Sequence, residues 1–149
     1  MPRHTLLIPL SHDHHEALLI ALRLKKGGPT SLHDTLWPTD FHKQVRSLKV
    51  YFENELLPHF KLEEEVLFPI ASTIGELQQT VIDLLEQHKK MREMIHEISL
   101  LKEANLHSKK VLTDFGALLE SHVRNEERDL FPKLEEAEKQ GRVKMPVLK

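Results

Sequence analysis

The amino-acid sequence reads as an all-α protein, an up-down-up-down antiparallel four-helix bundle. Three observations carry this reading. Apolar positions recur at helical steps of three and four over long stretches. Leu77, Val81, Leu84, His88, Met91, Ile95 and Ile98 form one such stripe. Strand signals are nearly absent, because aromatic residues make up only 5 % of the chain and glycines number 5. The joints between the later stripes, at Gly75 and around residues 104–108, are short, and short joints make neighbouring helices antiparallel. A chain of 149 residues suits one domain over 1–149 with a real core, here ending in a flexible C-terminal tail.

The first helix is expected over 11–26, with Ser11 as its N-cap and Gly27 as its stop. Leu18, Leu19, Leu22 and Leu24 follow His12, His14 and His15. The set His15, Leu18, Leu19 and Leu22 fits one helix face, and His14, Leu18 and Ala21 fit another. His14 and His15 are therefore alternatives for one inward imidazole. The second helix spans about 40–68, on the stripe Phe41, Val45, Leu48, Phe52, Leu56, His59, Glu63, Val66. Pro58 lies inside it, cannot donate to the Asn54 carbonyl and should kink the helix. The third helix covers 76–104. The fourth covers 108–139, on Val111, Phe115, Leu118, His122 and Glu126, then Asp129 or Leu130. The first connection, 27–39, is the longest. It offsets the shorter first helix by about 12 Å of helix rise.

Charge and composition exclude several functions. With 21 Lys+Arg against 23 Asp+Glu the net charge is −2, so no nucleic-acid surface is expected. No apolar run approaches the roughly 20 residues of a membrane span, and the first ten residues lack the apolar segment of a signal peptide. A cytoplasmic protein is expected. With no cysteine, disulfides, iron–sulfur clusters, thiolate zinc sites and thiol nucleophiles are excluded.

Histidine is abundant, at 11 residues, and part of it is repeated in a pattern. The segment from His59 to Pro69 matches the segment from His122 to Pro132 at His, Glu, Glu, Leu, Phe and Pro. His59 and Glu63 are four residues apart, as are His122 and Glu126, so each pair shares one helix face. The stripes aim those faces inward. Counted from the turns, His59, Glu63, His88, His122 and Glu126 fall at matching depth to within a few ångströms. Buried together, such groups are costly unless something neutralises them. Metal ions do so directly. Imidazole and carboxylate donors without sulfur suit iron, manganese or zinc. Four His and two Glu are too many for one tetrahedral ion and suit a carboxylate-bridged pair. His4, His33, His42, His96 and His107 lie off the stripes and are expected in solvent, as is the face Glu135–Lys139. Glu64 and Glu127 stand one residue off their stripes; a surface position is expected of them, with support of a ligand as the alternative.

At these residues the chain resembles the haemerythrin-like HHE cation-binding family. The matching pieces are Leu10-Ser-His-Asp-His14, His59-x-x-x-Glu63-Glu-x-x-Leu-Phe-Pro69, His88, and His122-x-x-x-Glu126-Glu-x-x-Leu-Phe-Pro132. The resemblance implies a four-helix bundle around a non-haem di-iron centre. It carries bridging to Glu63 and Glu126 and terminal ligation to His59, His88 and His122. It favours His14 on the first helix, whereas periodicity favours His15. Arg92 stands where oxygen carriers of the family have a second His on the third helix, and Glu126 stands where they use an aspartate-type ligand. The expected function is reversible binding of O2 or NO, or sensing of iron or oxygen. The alternative is a di-iron enzyme acting on peroxide, O2 or NO. Tyr51, the only tyrosine, lies 8 residues from His59, about 12 Å along the helix. A proton donor at the site is therefore not expected from it, which favours binding. No oligomeric state is assigned.

Overall fold

The computed structural model describes residues 3–147. All its regular elements are helical, and no strand occurs among the described residues. Helix α1 spans Leu7–Lys26. Helix α2 runs from Phe41 to Ala71 through two π turns, Phe52–Leu56 and Glu63–Leu67. A 3-10 turn, Gly75–Leu77, leads into α3, Gln78–Ser99. Helix α4 combines Leu106–Asn125, a π turn over Glu126–Leu130, and Phe131–Lys139.

The ends of the helices follow local chemistry, with two departures from expectation. Helix α1 begins at Leu7, so Ser11 lies inside it and caps nothing. Gly27 ends it in the left-handed conformation, φ 83°, and returns its N–H to the Arg23 carbonyl. Asp40 caps α2 by accepting from the Lys43 N–H. Asn105 and Ser108 form a reciprocal capping box at the start of α4. Helix α3 stops at Ser99 rather than 104, and the Leu100 and Leu101 N–H groups close its last turn. In the long first connection, buried Arg23 grips Asp34 through Nη2 at 2.7 Å and Nε at 3.0 Å.

The prolines do not break α2 or α4; each follows a π turn. The N–H groups of Leu57, Phe68 and Phe131 donate five residues back, to Phe52, Glu63 and Glu126. The next residue is Pro58, Pro69 or Pro132. A proline ring clashes with the carbonyl four residues earlier, and widening the turn by one residue relieves it. All three segments carry Glu at the second position, Leu at the fifth and Pro at the seventh. The wider turn also moves the inward face onto Leu67 and Leu130, which are fully buried, and away from Val66 and Asp129.

Helix α1 packs on α4, α4 on α3, and α3 on α2. Helices α1 and α4 run antiparallel: His4 meets Glu138, His14 meets Glu126, and Lys25 meets Glu120. Their approach is close because the contact is small. A Cβ on Gly116 would lie 2.8 Å from the Ala21 carbonyl oxygen. The inward face of α1 is Leu7, Leu10, His14, Ala17, Ala21 and Leu24, while Leu19 and Leu22 are exposed. This reverses the expected leucine face. Ala17 and Ala21 admit the backbone of α4, whereas leucines there would hold it away.

The core consists of two apolar clusters. One gathers Ala17, Ile20, Leu48, Phe52, Phe60, Met91, Phe115 and Leu119. The other gathers Leu6, Leu10, Leu67, Phe68, Leu84, Leu130, Phe131 and Leu134. The tail expected to be flexible joins the second cluster. Met145 is buried there and donates its N–H to Glu138 at 2.6 Å, and Arg142 pairs with Glu76. Glu138 and Glu135 also hold His4 and its backbone N–H. His4, Glu135 and Glu138 are thus part-buried rather than freely solvated, while Glu136 and Lys139 are exposed as expected.

Candidate metal centre

Between the two apolar clusters lies one polar layer: His14, His59, Glu63, His88, His122 and Glu126. None is more than 5 % exposed. Every helix contributes an imidazole, and α2 and α4 add a carboxylate each. The layer holds two groups of donor atoms within 4.8 Å of one another. His14, His59, Glu63 and Glu126 form one; Glu63, His88 and His122 form the other. His15 is exposed and stays outside. Its turn of α1 faces solvent, for the packing reason given above.

The orientation of the rings is uniform. All four Nδ1 atoms point outward to an oxygen: His14 to Glu127 at 2.8 Å, His59 to Asp13 at 3.0 Å, His88 to Glu64 at 2.6 Å, and His122 to Gln87 at 2.8 Å. A carboxylate or amide oxygen accepts, so Nδ1 carries the proton and donates. In the neutral ring Nε2 is then a bare lone pair. All four Nε2 atoms face inward. Those of His88 and His122 are 3.1 Å apart, and His88 Nε2 is also 3.1 Å from Glu63 Oε1.

Glu64 and Glu127 therefore do not sit in free solvent, as first expected. Both are part-buried. Arg92 holds Glu64 at 2.9 Å and Arg3 holds Glu127 at 2.9 Å. Sequence reasoning also passed over Asp13 and Gln87. Each immediately precedes an inward histidine, and that adjacency was the available signal.

The innermost oxygens lack partners. His14 Nε2 lies 3.3 Å from Glu126 Oε1, and His122 Nε2 lies 3.0 Å from it. The angles suit no hydrogen bond: His14 Nε2, Glu63 Oε2 and both Glu126 oxygens are buried and unsatisfied. Unpaired buried groups of this kind are costly. A shared cation between facing lone pairs would satisfy them together, so a metal fits the residues present.

The charge state of the layer agrees. Burial works to lower the His59 pKa, but the Glu63 and Asp13 carboxylates overcome it and raise it to about 9. Burial lowers that of His122 to about 4 against the pull of Glu63. Glu63 resists burial and is held well below the usual carboxylate range, chiefly by His59. Without metal, a proton on His59 takes part of the cation's place.

Aromatic rings wall the layer. Phe60 stacks on His88 with centroids 3.7 Å apart, and Phe131 stacks on His14 at 5.5 Å. A cavity of about 10 Å³ opens beside His14, His59 and His122, and Tyr51 lines it together with Asp13 and Glu55. Tyr51 thus shares a cavity with the layer, which helix rise alone did not show. Tyr51 is 7 % exposed, and burial, reinforced by Glu16, Asp13 and Glu55, raises its pKa, so the phenol stays protonated.

A helical bundle with a buried layer of histidines and carboxylates defines a metal-binding protein. The particular kind is given by comparison: residues 7–134 match the family described as Hemerythrin HHE cation binding domain, and the chain belongs to that family. No curated protein and no solved structure matches it. No helix of the described residues is long and apolar enough to cross a membrane.

Proposed function

We propose that the chain holds two iron ions, with Glu63 and Glu126 as bridges. His14 and His59 serve one ion, and His88 and His122 serve the other. Manganese or zinc could substitute, given a donor set of nitrogen and oxygen alone. The protein would bind a small diatomic ligand, O2 or NO, reversibly, or sense iron or oxygen through the same centre, in the cytoplasm. The observation that carries this reading is the convergence of four Nε2 atoms on two carboxylates with unsatisfied oxygens.

The bound irons would supply ligation of the diatomic. The chain's own part is positional. Its Nδ1 partners fix the imidazoles, and Phe60, Phe68 and Phe131 keep bulk water from the layer. The small cavity beside His59 has room for a ligand of about one water's size.

One observation favours a second reading, a di-iron enzyme for peroxide, O2 or NO. Tyr51 lines that cavity with a phenol held protonated, which could donate a hydrogen bond to a ligand there. Metal analysis and visible spectroscopy of protein purified without chelator decide first, with about two irons per chain expected. Addition and removal of O2 or NO then separates the readings, because a binding protein returns to its starting spectrum and an enzyme consumes the ligand. Absence of bound metal after iron reconstitution would refute both.

A further inference from the structure

The site repeats itself when α1 is exchanged for α3 and α2 for α4. His14 corresponds to His88, His59 to His122, Glu63 to Glu126 and Glu64 to Glu127. The supporting contacts repeat as well. Glu127 accepts from His14 and is held by Arg3; Glu64 accepts from His88 and is held by Arg92. Phe131 lies against His14 and Phe68 against His88, with centroids 5.5 and 5.4 Å away. The residue before each of these histidines backs the imidazole from the next helix. Asp13 accepts from His59 at 3.0 Å, and Gln87 accepts from His122 at 2.8 Å.

That last correspondence breaks the symmetry. Asp13 is an anion, whereas Gln87 is neutral. The two glutamates do not change this, because each is matched by its own arginine. The His14–His59 half thus carries one more negative charge directly behind its ligands. It also gathers four donors, two of them carboxylates, against three in the other half. A carboxylate behind an imidazole raises the basicity of the metal-facing nitrogen and fixes its orientation more strongly than an amide does.

We propose that Asp13 and Gln87 make the two metal positions unequal: the position of His14 and His59 fills first and holds its ion more tightly. This rests on the paired-metal reading above. Loss of such a partner costs about 10–100-fold in affinity. The Asp13 side chain is 49 % exposed, and water screening places its effect near the lower end.

The test is titration of the metal-free full chain with cobalt(II), followed by calorimetry and visible absorption. Wild-type protein should bind two ions in two steps about 10-fold or more apart. Asp13→Asn should weaken the first step about 10-fold and bring the two together. Gln87→Glu should tighten the second step by a similar factor, a gain that mere structural damage does not produce. It keeps the proposal testable even if Asp13→Asn folds poorly. Two ions of equal affinity in the wild type, or a second step unmoved by Gln87→Glu, would overturn the proposal alone. One ion or none per chain would overturn the paired-metal reading itself.

Discussion

His88 and His122 face each other across 3.1 Å through Nε2, although each donates its Nδ1 proton outward, to Glu64 and to Gln87. Two neutral imidazoles in this arrangement oppose lone pair to lone pair. The contact is favourable only with a cation between or beside them. The protein has built outward anchors that keep both rings in a pose that is unfavourable without one. Metal removal should therefore lower the melting temperature at fixed pH, by the equivalent of about 3 kcal/mol when metal is present at about 100 times its dissociation constant. Equal melting temperatures for metal-free and loaded protein would contradict this.

The repeat allows position on a helix to be separated from charge. Glu63→Ala and Glu126→Ala each remove an innermost carboxylate and should abolish the paired centre. Glu64→Ala and Glu127→Ala remove the same charge one residue along, but now free the Nδ1 of His88 or His14. They should weaken metal binding by about 10–100-fold without abolishing it. Metal content and affinity of the four variants check this ordering, and its reversal would mean that the inward face is misassigned.

Proline at 69 and 132 should matter to the site more than to stability. Pro69→Ala and Pro132→Ala restore a backbone donor and improve helix propensity. They also remove the clash that widens the turns at Glu63–Leu67 and Glu126–Leu130. An ordinary α turn would rotate the carboxylates relative to the chain that follows by about 100°. We expect metal affinity to fall by about 10-fold or more, while the metal-free protein melts no lower than wild type. Undiminished metal affinity would show that the widened turns have another origin.

Gly116→Ala tests the packing of α1 on α4. The added methyl would meet a backbone oxygen at 2.8 Å and Leu24 Cβ at 3.0 Å, and neither is a flexible end. Overpacking of this kind costs about 1–3 kcal/mol. Urea denaturation measures it, and a variant as stable as wild type would mean that the helices part freely.

The metal-free protein should be most stable near pH 6.5. His59, raised to about 9, contributes stability that is complete below the unfolded value of about 6.5 and lost as pH rises through 9. His122, lowered to about 4, takes up its proton less readily than the unfolded chain does, so stability also falls as pH drops from about 6.5 towards 4. Since metal must displace the His59 proton, loading should strengthen with pH up to about 9. Melting curves across pH 4–10 would show the maximum; a flat profile would contradict the assignment of these two groups.

Much was legible in the sequence because it depends on spacing. Strict three-four periodicity placed every inward residue of α3 from Val81 to Ile98. The duplicated His-x-x-x-Glu, counted from short turns, placed the inward histidines and glutamates of α2, α3 and α4 in one layer. Other features depend on neighbours distant in the chain. Leucine marks apolar surface but does not say which surface another helix can approach. On α1 the answer came from Ala17 and Ala21 against Gly116, which selected His14 and left His15 outside. The roles of Asp13, Glu64, Gln87 and Glu127 required the histidines of other helices to arrive at hydrogen-bonding distance. Tyr51 lines the cavity beside the layer, which residue counting along one axis does not capture. Periodicity thus determines a face. Which of two faces is buried, and what stands behind each inward histidine, is decided by the shape and charge of the helix packed against it.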